Sequence, residues 1–144
     1  MNRRTQLHAG LTTASAEETR AWAAELAASL PPDTVLALHG DMGVGKTTFV
    51  QGLARGLGVA GQVTSPTFAI YNIHRGAGRT LVHLDAYRLE SARQIENLLL
   101  EEFLTSPWVL AVEWPEKISS WLPASTLHLT LSIMDGDRHR LQLA

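Results

Sequence analysis

Residues 40–47, Gly40-Asp41-Met42-Gly43-Val44-Gly45-Lys46-Thr47, satisfy G-x-x-x-x-G-K-[ST] at every position, and a chain carrying that loop has few ways to fold. An apolar run, Val35-Leu36-Ala37-Leu38, leads into it as a buried strand does. Behind it, Phe49, Val50, Leu53, Ala54 and Leu57 recur at helical spacing. Strand, glycine loop and helix in that order make a phosphate cradle. The glycines let backbone N–H groups turn inward around phosphate oxygens, and the new helix offers its positive end to the same anion. Lys46 supplies a point charge for the β- and γ-phosphates and Thr47 a hydroxyl for Mg²⁺, with Thr48 next in the opening turn. The stretch predicts a nucleoside triphosphate site.

The remaining elements follow from periodicity and punctuation. Ser15-Ala16-Glu17-Glu18 reads as a capping box that opens a helix with Trp22, Leu26 and Leu30 on one side, stopped by Pro31-Pro32-Asp33. After the loop helix, which ends in the glycines at 56, 58 and 61, Val63 to Thr67 is a polar segment broken by Pro66. Phe68–His74 and Arg79–Leu84 flank Gly76-Ala77-Gly78 as a β-hairpin. Ser91-Ala92-Arg93-Gln94 opens a second amphipathic helix carrying Ile95, Leu98, Leu99 and Phe103. Val109 to Val112 is a short buried run. The tail, Leu127–Met134 and Arg138–Leu143, alternates around Asp135-Gly136-Asp137 as a hairpin with one wet face. The prediction is one α/β domain over residues 1–144, P-loop NTPase-like: a mainly parallel central sheet flanked by helices, with added antiparallel hairpin strands.

Composition narrows the function classes. At 144 residues the chain has room for one domain with a real core. A net charge of −2 offers no global field for a polyanion, so a strong independent grip on nucleic acid is not expected. Zero cysteines remove disulfides, thiol nucleophiles and zinc–thiolate sites. No apolar run approaches a membrane span, and no apolar stretch follows Arg3 and Arg4 as in a secretory leader. A cytoplasmic location without membrane attachment is the expectation.

A phosphate loop with Mg²⁺ needs a partner acid, which open α/β sheets place at the carboxyl end of a strand. Leu81-Val82-His83-Leu84 ends in Asp85, and Val109-Leu110-Ala111-Val112 ends in Glu113. Each is either a functional acid or a solvated strand end, and the loop requires at least one of the former. Spacing does not decide which acid is the direct Mg²⁺ ligand and which positions water. Thr64, Ser65 and Thr67 sit where NTPase switch segments sense the γ-phosphate, or form an ordinary polar turn. Arg88 either reaches a phosphate or pairs with Glu90. Trp114 either stacks on something planar or packs at the core rim. His39 and His83, beside apolar runs, read as satisfied core histidines.

These motifs together resemble the TsaE (YjeE) family: Gly40–Thr47, Ser65-Pro66-Thr67-Phe68, His83-Leu84-Asp85-Ala86-Tyr87-Arg88-Leu89 and Glu113-Trp114-Pro115 match in order and spacing over nearly the whole chain. The phosphate loop alone is generic, whereas its combination with H-x-D-x-Y-R and E-W-P is specific. The resemblance implies a small bacterial ATPase needed for threonylcarbamoyladenosine in tRNA, with ATP and Mg²⁺ as ligands. It implies Gly40 to Thr47 around the phosphates, Thr47 and Glu113 as Mg²⁺ ligands, and Asp85 as the acid supporting hydrolysis. It further implies Ser65, Pro66 and Thr67 as a switch-like segment, Trp114 close to the nucleotide, and Thr19 near the adenine. Its implied partners are TsaD, which transfers the threonylcarbamoyl group, and TsaB, with tRNA reached indirectly through that complex.

Two other functions share the phosphate loop. A small-molecule kinase needs a lid and an acceptor site, and the residues after the loop helix go mostly into a hairpin. A GTPase-type switch needs N-K-x-D, but Lys117, the only lysine outside the loop, is followed by Ile118 and Ser119.

Overall fold

The computed structural model describes residues 3–41, 43–61, 63–64, 70–97 and 100–144. In chain order the elements are α1 (Arg3–Ala9), β1 (Leu11–Thr13), α2 (Ala16–Ser29), β2 (Thr34–His39), α3 (Lys46–Gly56), β3 (Tyr71–Arg75) and β4 (Thr80–Asp85). Then follow α4 (Ala92–Asn97), β5 (Trp108–Glu113), β6 (Leu127–Ile133) and β7 (His139–Leu143), with short 3-10 turns at Leu100–Phe103, Pro115–Ile118 and Asp135–Asp137.

Among the described residues seven strands form one sheet in the order β1-β7-β6-β2-β5-β4-β3. Its centre is parallel: β2 lies between β6 and β5, and β4 continues the parallel set beside β5. The hairpins add the antiparallel strands, β3 on β4 and β7 on β6, as their turn sequences predict. This is the P-loop NTPase fold, a mixed α/β sheet with helices on its faces.

The central strands are apolar on both faces because both are covered. Leu36, Leu38, Leu81, Val109, Ala111, Leu129 and Leu131 pack with Leu26, Phe49, Val50 and Leu53 from α2 and α3. On the opposite face Val35, Val82, Leu84, Leu110 and Val112 meet Ile95, Leu100 and Ile118. In the terminal hairpin the alternation leaves Thr130, Ser132 and Gln142 in water while Leu129, Leu131, Leu141 and Leu143 are buried.

Ser15 caps α2 as the capping-box reading requires, its hydroxyl accepting from the Glu18 N–H at 3.1 Å. Two elements were invisible before Ser15. Helix α1 buries Leu7, and β1 joins the sheet only because β7 offers it a free edge. The second amphipathic helix does not run as α-helix through Phe103. Helix α4 is described over Ala92–Asn97, Leu98 and Leu99 lie outside the described residues, and Phe103 sits in a 3-10 turn against Tyr71, rings 5.9 Å apart. Phe68, the expected start of the first hairpin strand, also lies outside the described residues, and β3 begins at Tyr71. Among the described residues no helix is long and apolar enough to cross a membrane.

Helices α2 and α3 lie in direct contact. A side chain at Gly52 would begin 2.6 Å from Ala23 Cβ and strike the Arg20 carbonyl oxygen, which is backbone and has nowhere to retreat. Gly52→Val is therefore expected to lower unfolding free energy by about 1–3 kcal/mol, the usual penalty of overpacking. Urea denaturation measures it, and an unchanged midpoint would show that the helices separate freely.

Candidate functional site

Strands β2, β5 and β4 end side by side at one edge of the sheet. Register sets Leu38 opposite Glu113 and Glu113 opposite Asp85. The two acids therefore leave neighbouring parallel strands, whose backbones run about 4.8 Å apart, at the same level. Strand alternation turns both toward the face covered by α3, the face that carries Val109, Ala111 and Leu81. Asp85 Oδ1 accepts the Tyr87 N–H at 3.0 Å, and the Glu113 carbonyl accepts the Ala86 N–H at 3.0 Å. The two strand ends are thus tied to each other and to the turn beyond them.

The loop from β2 to α3 closes over the same edge. Gly40 has no room for a Cβ, which would fall 2.6 Å from the Leu131 carbonyl oxygen. Gly45 takes φ 98 at the N-cap of α3, a left-handed conformation that glycine adopts without strain. Lys46 follows as the first helical residue and is only 5% exposed. Its ammonium donates to the Gly40 carbonyl at 2.7 Å and rests 3.7 Å from the centroid of the Trp114 ring. Burial holds the Lys46 ammonium below its usual pKa range, while the charges of Glu113, Glu116, Asp85 and Asp41 act in the opposite direction.

Trp114 occupies an uncommon backbone position for a bulky residue, φ 58 and ψ 51, where β5 turns into the Pro115–Ile118 turn. Tyr87, 47% exposed, lies against it with ring centroids 5.1 Å apart. Gly43, Gly45, Lys46, Thr47, Thr48, Asp85, Glu113 and Trp114 together line a cavity of about 470 Å³. The structure brings both acids, the loop and the tryptophan around one space.

Other expected residues stand apart from that cavity. Thr19 is buried, its hydroxyl 2.6 Å from the Thr13 hydroxyl. It lines a recess of about 70 Å³ with Ala16, Asp137 and His139, which touches the main cavity only through the shared Gly45 and Thr48. Met42, Ser65, Pro66 and Thr67 lie outside the described residues. Asp41 and Thr64 are exposed. His39 is half-buried and pairs ring to ring with His128 at 2.8 Å.

Sequence reasoning missed two contacts. His139 Nδ1–H donates to the Val44 carbonyl at 2.9 Å, so the last strand braces the phosphate loop. No local signal shows this, because sheet closure brings residues 95 positions apart together. The sequence pattern reads His83 as a satisfied core histidine. It is fully buried, but only Nε2 has a partner among the described residues, and that partner is Glu113 Oε2 at 2.5 Å. Its place in H-x-D, on the face of Asp85, was the available signal. On the adjacent strand, His74 Nε2 is also buried without a partner among the described residues, and burial pushes the His74 pKa down.

The donor chemistry fits Mg²⁺ held jointly with phosphate. Among the described residues no three His, Cys, Asp or Glu side chains cluster as a protein-only metal site. Thr47, Asp85 and Glu113 instead put hard oxygen donors on a cavity whose other wall is a phosphate-type loop.

Comparison with known proteins reaches the same family as the motifs. The family model of the threonylcarbamoyl adenosine biosynthesis protein TsaE matches residues 13–141. The tRNA threonylcarbamoyladenosine biosynthesis protein TsaE of Bacillus subtilis is 39% identical over 90% of this chain and 80% of that protein. Its counterpart in Treponema pallidum is 37% identical over 86% of this chain and 92% of that protein. The Synechocystis TsaE is 45% identical over 67% of this chain, and the match spans 64% of that relative, less than two thirds of it. Among solved structures, the crystal structure of Bacillus subtilis YdiB superposes with a TM-score of 0.76 at 34% identity, covering 92% of this chain and 81% of that one.

Proposed function

The chain belongs to the TsaE family of threonylcarbamoyl adenosine biosynthesis proteins, and from that premise we propose that it is the Mg²⁺-dependent ATPase serving tRNA threonylcarbamoyladenosine formation. The observation that carries this reading is the convergence of Lys46, Thr47, Asp85 and Glu113 on one cavity. Such a cavity binds a triphosphate through the loop's N–H groups and the start of α3. Lys46 then leaves the Gly40 carbonyl and the Trp114 face to meet the β- and γ-phosphates. Thr47 and Glu113 would hold Mg²⁺, which when bound would supply charge neutralisation for the phosphates during hydrolysis. Asp85, one strand farther out, orients the attacking water. Trp114 covers the cavity beside Lys46, and Thr19 lies toward the adenine side, behind Thr48. By their sequence motifs alone, Met42 is assigned to the nucleotide-binding loop and Ser65, Pro66 and Thr67 to a switch-like segment in this reading.

The hydrolysis serves other proteins. In this reading ATP turnover drives or resets the complex of TsaD and TsaB in the cytoplasm, TsaD performs the threonylcarbamoyl transfer, and tRNA is met through that complex. The net charge of −2 supports an indirect relation to tRNA. The decisive experiment measures ATP hydrolysis by the purified protein alone, with TsaB–TsaD, and with TsaB–TsaD plus tRNA. Slow turnover that rises with the partners is expected. Fast turnover indifferent to them would sink the resetting role, and phosphate transfer to a small acceptor would favour a kinase instead.

A further inference from the structure

We propose that His83 is a positioning residue that fixes the Glu113 carboxylate in its Mg²⁺-binding orientation, an inference resting on the Mg²⁺–ATP reading above. The geometry begins with register. Glu113 and Asp85 face each other across β5 and β4, and His83 lies two residues before Asp85 on the same face. From there the His83 Nε2–H donates to Glu113 Oε2 at 2.5 Å. A carboxylate has two oxygens, so one held by an imidazole leaves the other to face the cavity that Glu113 lines. Groups that hydrogen-bond a metal ligand set its orientation and are felt in metal affinity.

A purely structural reading accounts poorly for this ring. Toward the centre of the sheet its neighbours on this face, Leu81, Val109 and Ala111, are apolar and fully buried, where a leucine would pack, while on β3 Asn72 stands opposite the ring and His74 lies diagonally on the same face. The imidazole instead brings a second nitrogen, Nδ1, into the interior without a partner among the described residues. Burying an unsatisfied polar atom costs stability. Among the described residues the ring's hydrogen bond is the one to Glu113, so its polar capacity is directed at the site.

The test separates the hydrogen bond from the packing. Mn²⁺ binding in the presence of a non-hydrolysable ATP analogue, followed by electron paramagnetic resonance, reads metal affinity without turnover. In H83Q the amide NH₂ reaches about as far as Nε2, whereas in H83N it stops near the Nδ1 level, too short for Glu113. We expect H83N and H83L to weaken Mn²⁺ binding by about 10–100-fold, and H83Q to retain most of the affinity. Analogue binding in EDTA should be alike in all folded variants, because the phosphate loop is untouched. Wild-type Mn²⁺ affinity in H83N, or equal losses in H83N and H83Q, would overturn the positioning role. If the unaltered protein binds no Mn²⁺ alongside the analogue, the Mg²⁺–ATP reading itself fails and this inference with it. Should H83L not fold, the two amide variants still decide the question.

Discussion

Lys46→Ala is expected to lower ATP turnover by about 10²–10³-fold, the usual scale for removing one preorganised charge or donor from a transition state. Lys46 is 5% exposed, and among the described residues its ammonium is held by the Gly40 carbonyl at 2.7 Å and the Trp114 face at 3.7 Å. Neither is an ion pair, so the charge is stored beside the phosphate site without being neutralised at close range. Burial disfavours it there, which is why its pKa sits below the usual lysine range despite four nearby carboxylates. In the proposed function a triphosphate would supply the missing counter-charge, and the gain would grow as negative charge develops on the transferring group. The fold loses little by the substitution. A Gly40 carbonyl without its donor is offset by relief from a desolvated ammonium. Steady-state turnover with a malachite-green phosphate assay, alongside a melting curve, measures both sides. A folded K46A protein with undiminished turnover would place hydrolysis somewhere other than this loop.

Phe49→Ala has the largest expected effect on stability, about 3–5 kcal/mol. Phe49 is fully buried and, among the described residues, the bulkiest of the completely enclosed side chains. It stands in the first turn of α3, three residues after Lys46, and packs into the core shared by α2, α3 and the central strands. Truncation leaves a cavity that the sheet is too rigid to refill. The melting temperature should fall by on the order of 10–20 °C for a chain of this size. The same turn presents its free N–H groups to the phosphate site, so nucleotide affinity should weaken as well. Differential scanning calorimetry and nucleotide titration check the two effects. A melting temperature within a few degrees of the parent would mean that this helix is held by something other than its buried ring.

The elements that sequence made legible are those whose signal is local. Gly40–Thr47 announces itself in eight consecutive residues, and the four-residue apolar runs before Asp85 and Glu113 mark strands that end in acids. Gly76-Ala77-Gly78 and Asp135-Gly136-Asp137 mark the two hairpin turns that the sheet contains. Apolar spacing continues through Phe103, yet Leu100–Phe103 is a 3-10 turn, because spacing alone does not separate the two kinds of helix. Strand β1 has three residues and no pattern of its own; an edge on β7 makes it a strand.

By itself, then, the sequence determined that a triphosphate loop joins a buried strand to a helix, that two acids end neighbouring apolar runs, and which family those motifs share. Only the tertiary structure decided that Asp85 and Glu113 stand level on adjacent strands, that His83 bonds Glu113, that Trp114 lies on Lys46, and that His139 braces Val44. The physical reason is that motif and periodicity are properties of contiguous chain. Register, strand order and the meeting of residues 30 or 95 positions apart arise from backbone hydrogen bonding and packing across the whole sheet.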